Sequence, residues 1–312
     1  MTTQHDALAG PAIQAKPRTA SGRIVQALNK TPIHIALGIV AIIWLAPTIG
    51  LLVTSFRPRS DIQSTGWWET LSTLRFTLEN YSSVLSAQGM LGAFVNNLII
   101  SIPSTLLPLT VASMAAYAFS WVRFPFRDSL FLIVVALLMV PAQVAFIPVL
   151  NLFKPLGWTQ GYIAIWLVHT AFALPFGIFL LRNFFITLPR DLIEAARIDG
   201  AGDIAIFRTI VVPLSVPAIA AYGIFQFLWV WNDLLMALVF VQKNTNFPMT
   251  VQIQNLLSQY GTEWQLLAAG AFLLMIVPLL VFFSLQRYFV QGLLAVSVKL
   301  VVDQRRPGDG RR

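Results

Sequence analysis

The sequence contains no cysteine, only three histidines and few charges. Without cysteine there is no disulfide, no thiolate nucleophile, no Cys-ligated zinc and no Cys-bound iron–sulfur cluster. The histidines (His5, His34 and His169) form no His-Glu-x-x-His pattern, and no Gly-x-Ser-x-Gly turn occurs, which speaks against an intramembrane enzyme. No Gly-x-x-x-x-Gly-Lys-Ser/Thr run is present either, so the chain lacks a phosphate-cradling loop of its own. Charged residues are 11% of the 312 positions and apolar residues 57%, against roughly 25% and 45–50% in soluble domains. Several stretches of about 20 residues carry no charge, the length needed to cross ~30 Å of hydrocarbon. These absences define a multi-span membrane protein. A net charge of +8 would suggest nucleic acid in a soluble domain, but here the basic residues flank apolar segments and no compact basic domain exists to hold nucleic acid.

What is present is a set of six apolar segments: Ile33–Ser55, Phe94–Val122, Ser129–Leu152, Gly161–Leu181, Leu214–Val241 and Leu266–Leu285. In lipid the backbone must satisfy its own hydrogen bonds, so runs of this length are expected to be helices. The expected fold is an all-α membrane protein with six transmembrane helices and a cytoplasmic helix-turn-helix between spans four and five. Its permease domain is expected over 33–288, preceded by a cytoplasmic segment 1–32 and followed by a cytoplasmic tail 289–312. Prolines recur inside the segments: Pro47, Pro103, Pro108, Pro141, Pro148, Pro175, Pro217 and Pro278. Each removes a backbone donor and bends its helix, so a broken, cavity-lined bundle is expected.

Lysine and arginine set the orientation. With the N-terminus inside, the inner segments hold Lys16, Arg18, Arg23, Lys30, Arg123, Arg127, Arg182, Arg190, Arg197, Arg208, Arg287, Lys299, Arg305, Arg306, Arg311 and Arg312; the outer ones hold Arg57, Arg59, Arg75, Lys154 and Lys243. Sixteen against five is a strong positive-inside bias, and it places both termini in the cytoplasm. Trp67, Trp68, Trp158 and Trp264 fall at outer span ends, where interfacial tryptophans belong. The N-terminal stretch shows no short apolar core followed by a small-residue cleavage site, so the first span is expected to act as the insertion signal.

Two loops are too long to be plain connectors: Phe56 to Ala93 outside, and 182–213 inside. The inner loop contains Leu188-Pro189-Arg190-Asp191-Leu192-Ile193-Glu194-Ala195-Ala196-Arg197-Ile198-Asp199-Gly200-Ala201-Gly202. Asp191 with Glu194 three residues on looks like a capping-box variant opening a short helix. Gly200 and Gly202 are expected to end it, and Asp203 to cap a second helix leading into the fifth span. Ala195 and Ala196 let another protein approach the backbone closely, and Glu194, Arg197 and Asp199 give such a contact direction. The alternative is an interfacial helix resting on lipid, although its acidic residues gain nothing from anionic headgroups.

Glu194-Ala195-Ala196, then Gly200 after three residues, then Ile210-Val211-Val212-Pro213, resembles the EAA loop of ABC-importer permeases, with Val212 where the family pattern has leucine. The run Glu-Ala-Ala-Arg-Ile-Asp-Gly-Ala is similar to the carbohydrate branch, as are Trp231-Asn232-Asp233 and Gln286-Arg287-Tyr288-Phe289-Val290-Gln291-Gly292-Leu293 followed by Lys299. Within it the chain is most similar to the six-span partner of two-permease sugar importers, loosely to the α-glucoside and glucose members. The end of the chain, Ala295-Val296-Ser297-Val298-Lys299-Leu300, departs from the family's Gly-Ala-Val-Lys-Gly. The resemblance implies a bacterial inner-membrane subunit that is not itself an enzyme. It implies two nucleotide-binding ATPase subunits, with ATP bound there and no cofactor in this chain. It further implies a second permease chain and an extracytoplasmic solute-binding protein. The ATPase contact falls to Asp191, Glu194, Ala195, Ala196, Arg197, Asp199 and Gly200.

A sugar site wants aromatic faces and polar groups. The fifth segment offers Tyr222, Gln226, Trp229 and Asp233 at helical spacing on one face, with Asn232 beside them. Gln226 lies ~18 Å above Leu214, near mid-membrane. Each of these is either a substrate contact or glue between helices. Asn96 and Asn97 read as interhelical hydrogen bonders. His169, with no acid at helical spacing, reads as a packed core histidine. An ion-gradient-driven transporter is the competing class, but only Asp233 supplies an acid inside a span.

Overall fold

A computed structural model describes residues 20–86, 89–259 and 263–304. The N-terminal residues 1–19, with Pro11 and Pro17, and the last residues 305–312 lie outside this description. So do the side chains from Arg287 to Lys299 that carry part of the C-terminal resemblance. The described residues are helical, without strands. The chain divides into two units, Met1–Val53 and Thr54–Arg312. Most of helix α1 (Ala20–Ser55) lies in the first; its apolar part, Thr31–Ser55, is 25 residues long, enough for ~30 Å of hydrocarbon at about 1.5 Å per residue.

The second unit opens with three short helices, α2 (Arg59–Ser64), α3 (Thr70–Thr73) and α4 (Glu79–Ser86). They fold the long loop before α5 into a layer of short helices. Buried Arg57 donates from its guanidinium to the Asp61 carbonyl (2.9 Å), the Thr65 carbonyl (3.2 Å) and the Thr65 hydroxyl. Asn80 donates to the carbonyls of Ser55 and Arg57, both at 2.9 Å. An Arg59–Glu263 ion pair ties the layer to the start of the last helix.

The bundle follows: α5 (Met90–Trp121), α6 (Arg127–Leu137), α7 (Ala142–Phe153), α8 (Ile163–Phe185), α9 (Arg190–Ile198), α10 (Asp203–Leu214), α11 (Val216–Trp231), α12 (Leu235–Phe240), α13 (Met249–Gln259) and α14 (Trp264–Gln304). Helix α5 packs along α8, and α11 packs against α5, α8 and α14. Of the six expected spans, four are single helices long and apolar enough to cross a membrane: α1, α5, α8 and the Trp264–Gln286 part of α14. The other two segments are sharply bent helix pairs, not single helices. Helices α6 and α7 meet at 97° across Leu138–Pro141, and α10 and α11 meet at 80° at Ser215. The fifth segment also ends early, because the helix stops at Trp231 and restarts at Leu235.

Most prolines therefore do not break their helices. Proline 103, 108 and 278 all sit inside continuous helices, and each deprives the carbonyl four residues earlier of its usual donor. In all three cases a side chain from another helix supplies it. The Trp166 indole donates to the Ile99 carbonyl (3.0 Å), the Gln226 amide to the Ser104 carbonyl (3.2 Å), and the Trp231 indole to the Leu274 carbonyl (2.8 Å). In hydrocarbon an orphaned carbonyl costs several kcal/mol on the order-of-magnitude scale. These three bonds thus satisfy the freed carbonyls and join helices pairwise: α5 to α8, α5 to α11, and α11 to α14.

Candidate functional site

The connector expected over 182–213 is shorter than that, because α8 runs on to Phe185 and α10 begins at Asp203. Between them α9 and α10 form a helical hairpin. Helix α9 starts at Arg190 behind Pro189, with no side-chain cap. The expected capping box between Asp191 and Glu194 is absent: Pro189 occupies the cap position, which moves Asp191 inside the first turn. There its charge acts on the helix dipole instead. The stop is as expected at Gly200, whose φ is +85°. The Ala201 amide bonds the Ala196 carbonyl (2.9 Å) and the Gly200 amide bonds Arg197 (3.1 Å), the paired closure of a Schellman motif. Gly202 is not part of the stop; its backbone is extended and it caps α10. Asp203 is likewise no cap but stands in the first turn of α10.

One face of the hairpin is sunk into the bundle. Ile193 and Ile206 are buried together with Tyr117, Leu181 and Phe185. Half-buried Ala196 packs on the same core as Ile193, whereas the opposite face carries exposed Asp191, Glu194, Ala195 and Asp199. It also carries apolar side chains that the motif does not mark: Leu192, Ile204 and above all Ile198, 86% exposed. Arg197 turns away from that face. Its guanidinium donates to the Trp121 carbonyl at the end of α5 (2.8 Å) and to the Asp203 carboxylate (3.2 Å). Hydropathy marked Ile198 only as one more apolar residue; no local pattern shows that it has nothing to pack on.

Of the fifth-segment residues, Tyr222, Gln226 and Trp229 lie at helical spacing in α11 but differ in burial, and Asp233 falls outside that helix. Tyr222 is fully buried, and its hydroxyl donates to the Ala173 carbonyl (3.0 Å). It lies so close to α8 that a side chain at Gly177 would collide with its ring. Gln226 is buried on α5. Trp229 is 58% exposed and lies in an aromatic row with Phe225 and Phe176. Asn232 is exposed and bonds only its own helix, at Leu228. Asp233 falls in the break after α11, where its carboxylate accepts from the backbone amides of Met236 (3.3 Å) and Ala237 (3.1 Å) and so caps α12. His169 is not isolated from acids: its Nε2 lies 3.6 Å from the Asp233 carboxylate, a separation too long for a hydrogen bond. The two residues stand on different segments, 64 positions apart, which is why helical spacing along one segment misses the pair. Asn96 donates to the carbonyls of Thr245 (2.8 Å) and Phe247 (3.0 Å), and Asn97 to that of Trp231 (3.2 Å). Among the described residues no cluster could hold a metal ion.

Residues 108–294 match the model of the family described as binding-protein-dependent transport system inner membrane component. The osmoprotective compounds uptake permease protein GgtD of Synechocystis is 52% identical over 87% of this chain and 93% of its own length. The α-glucoside transport system permease protein AglG of Rhizobium meliloti is 50% identical over 72% of this chain and 61% of its own. A crystal structure of a bacterial ABC transporter that imports the acidic polysaccharide alginate aligns with a TM-score of 0.69 at 22% identity, covering 87% of this chain and 98% of that one, a likeness of fold. This chain belongs to the inner-membrane permease family of binding-protein-dependent transport systems, and is a transport subunit rather than an enzyme.

Proposed function

We propose that this chain lines the translocation path of an ATP-driven importer for a mono- or oligosaccharide such as glucose or an α-glucoside, and takes its energy through α9. The observation that carries the reading is the hairpin: a stable helix whose inner face is anchored and whose outer face, Glu194, Ala195 and Ile198 with Leu192 and Ile204, has no partner within the described residues of the chain. A helix with small residues, an acid and an apolar anchor on one exposed face suits insertion into a groove of another protein. That protein is a nucleotide-binding ATPase, since this chain has no phosphate loop. Two ATPase subunits, a second permease of different sequence and an external solute-binding protein complete the assembly. The positive-inside count supports a cytoplasmic location, in a bacterial cell, for both termini and the hairpin. The sugar class is supported by the α-glucoside relative and by the aromatic row of Phe176, Phe225 and Trp229, which offers ring faces of the kind sugars stack on. Tyr222, Gln226 and Asp233 shape that pathway by holding helices in place, and Trp229 and Asn232 are its exposed side chains.

The test is uptake of radiolabelled glucose and maltose by cells expressing the full transporter. Uptake should collapse on ATP depletion and persist when an ionophore dissipates ion gradients. The reverse pattern would mean that a secondary transporter is at work.

A further inference from the structure

Three helix ends converge where the hairpin meets the bundle: the C-terminal turn of α9, the first turn of α10 and the C-terminus of α5. Arg197 in the last turn of α9 reaches the Trp121 carbonyl at the end of α5, at 2.8 Å. Asp203 in the first turn of α10 accepts from Arg197 (3.2 Å) and from the Tyr117 hydroxyl of α5 (2.9 Å), both through one carboxylate oxygen. Each charge matches its helix end, since a cation suits a C-terminal turn and an anion an N-terminal one. Beneath this polar clamp Ile193 and Ile206 are buried with Tyr117, and the Tyr117 ring packs on Phe207 at 5.5 Å. The hairpin is therefore held to α5 on two levels, polar above and apolar below.

We propose that Tyr117, Arg197 and Asp203 form a strut that makes the α9–α10 hairpin and the inner end of α5 move as one body. Arg197 is then a positioning residue of the coupling step and not part of the ATPase-docking face. The proposal rests on the docking reading above. A role in stability alone accounts poorly for the arrangement. Arg197 and Asp203 keep 42% and 50% of their side-chain surface in water, and such ion pairs contribute about 1 kcal/mol or less. What the cluster supplies is direction: two bonds from one guanidinium and two to one carboxylate oxygen, spanning three helices. Coupling requires such an element, because a contact made at Glu194 does no work unless displacement reaches a membrane-spanning helix.

The absence of cysteine makes the test direct. Spin labels are placed at Met114→Cys on α5 and Ala205→Cys on α10, both exposed positions, in the assembled transporter in lipid nanodiscs. Pulsed electron–electron distances are then compared without nucleotide and in the vanadate-trapped ATP state. The strut predicts one narrow distance, unchanged between the two states. Arg197→Gln and Tyr117→Phe should each broaden it in the trapped state. They should also lower stimulation of ATP hydrolysis by the binding protein by about fivefold or more, the lower end of site-to-site coupling, with basal hydrolysis retained. Arg197→Gln is surface-lying and leaves the α5 interior untouched, so it serves even if Tyr117→Phe assembles poorly. Distances and stimulation identical to the parent would overturn the strut. Glu194→Arg separates the two ideas: if it too leaves ATPase binding and stimulation intact, the docking reading fails; if it abolishes them while the strut variants behave as the parent, only the strut fails.

Discussion

At the scale of single residues, Gly200 is the position where backbone conformation decides most. Its φ of +85° lies in a region that β-branched residues avoid. Space is not the constraint, since a Cβ there meets nothing within 4 Å. Gly200→Val should therefore loosen the hairpin by about 1–3 kcal/mol and reduce ATP-driven uptake several-fold, with Gly200→Asn, which tolerates the left-handed region, much milder. Uptake measured at equal membrane abundance checks this. The role of Gly200 was legible in the sequence, because a glycine after an amphipathic turn is a strong stop signal. The direction of Arg197 was not. Its partners, Trp121 and Asp203, stand 76 and 6 residues away, and nothing local says that the guanidinium turns inward.

At the scale of elements, charge-free length located the six apolar segments, and proline content announced irregularity. Which prolines break a helix was not legible. Pro103, Pro108 and Pro278 are accommodated because Trp166, Gln226 and Trp231 reach the freed carbonyls from 67, 122 and 43 residues away. At Pro141 the chain ends its helix instead, the Val140 amide closing a turn on the Leu137 carbonyl at 3.2 Å. The same logic explains why Gln226, polar at mid-membrane, serves a proline rather than standing free. Gln226→Leu should destabilise the protein by about 1–3 kcal/mol, the cost of a buried orphan acceptor. In a Pro108→Ala background, where residue 108 regains its own amide for the Ser104 carbonyl, the cost should fall well below that. Thermal unfolding of the four proteins of this cycle in detergent measures the coupling; equal costs in both backgrounds would show that Gln226 does not serve that carbonyl.

At the scale of the larger unit, from Thr54 onward, three pairs of helices are joined by bonds made necessary by the chain's own prolines, and one anchored hairpin is displayed beside the C-terminal end of α5. The membrane class was legible from composition, and the hairpin from its motif spacing. The different surroundings of Tyr222, Gln226 and Trp229 were not, since all three lie in the unbroken helix 216–231 and only the neighbouring helices decide which of its side chains are buried; Asp233 is set apart by the break after Trp231. The central claim is that energy enters at α9. The most direct measurement places single cysteines at Ala195→Cys or Ile198→Cys in the naturally cysteine-free chain and tests disulfide or photo-cross-linking to the ATPase in the assembled, transporting complex. An adduct at both positions, and none from Thr245→Cys on the opposite side of the bundle, is the predicted result. A complex that hydrolyses ATP and imports sugar while α9 yields no adduct with the ATPase would contradict it.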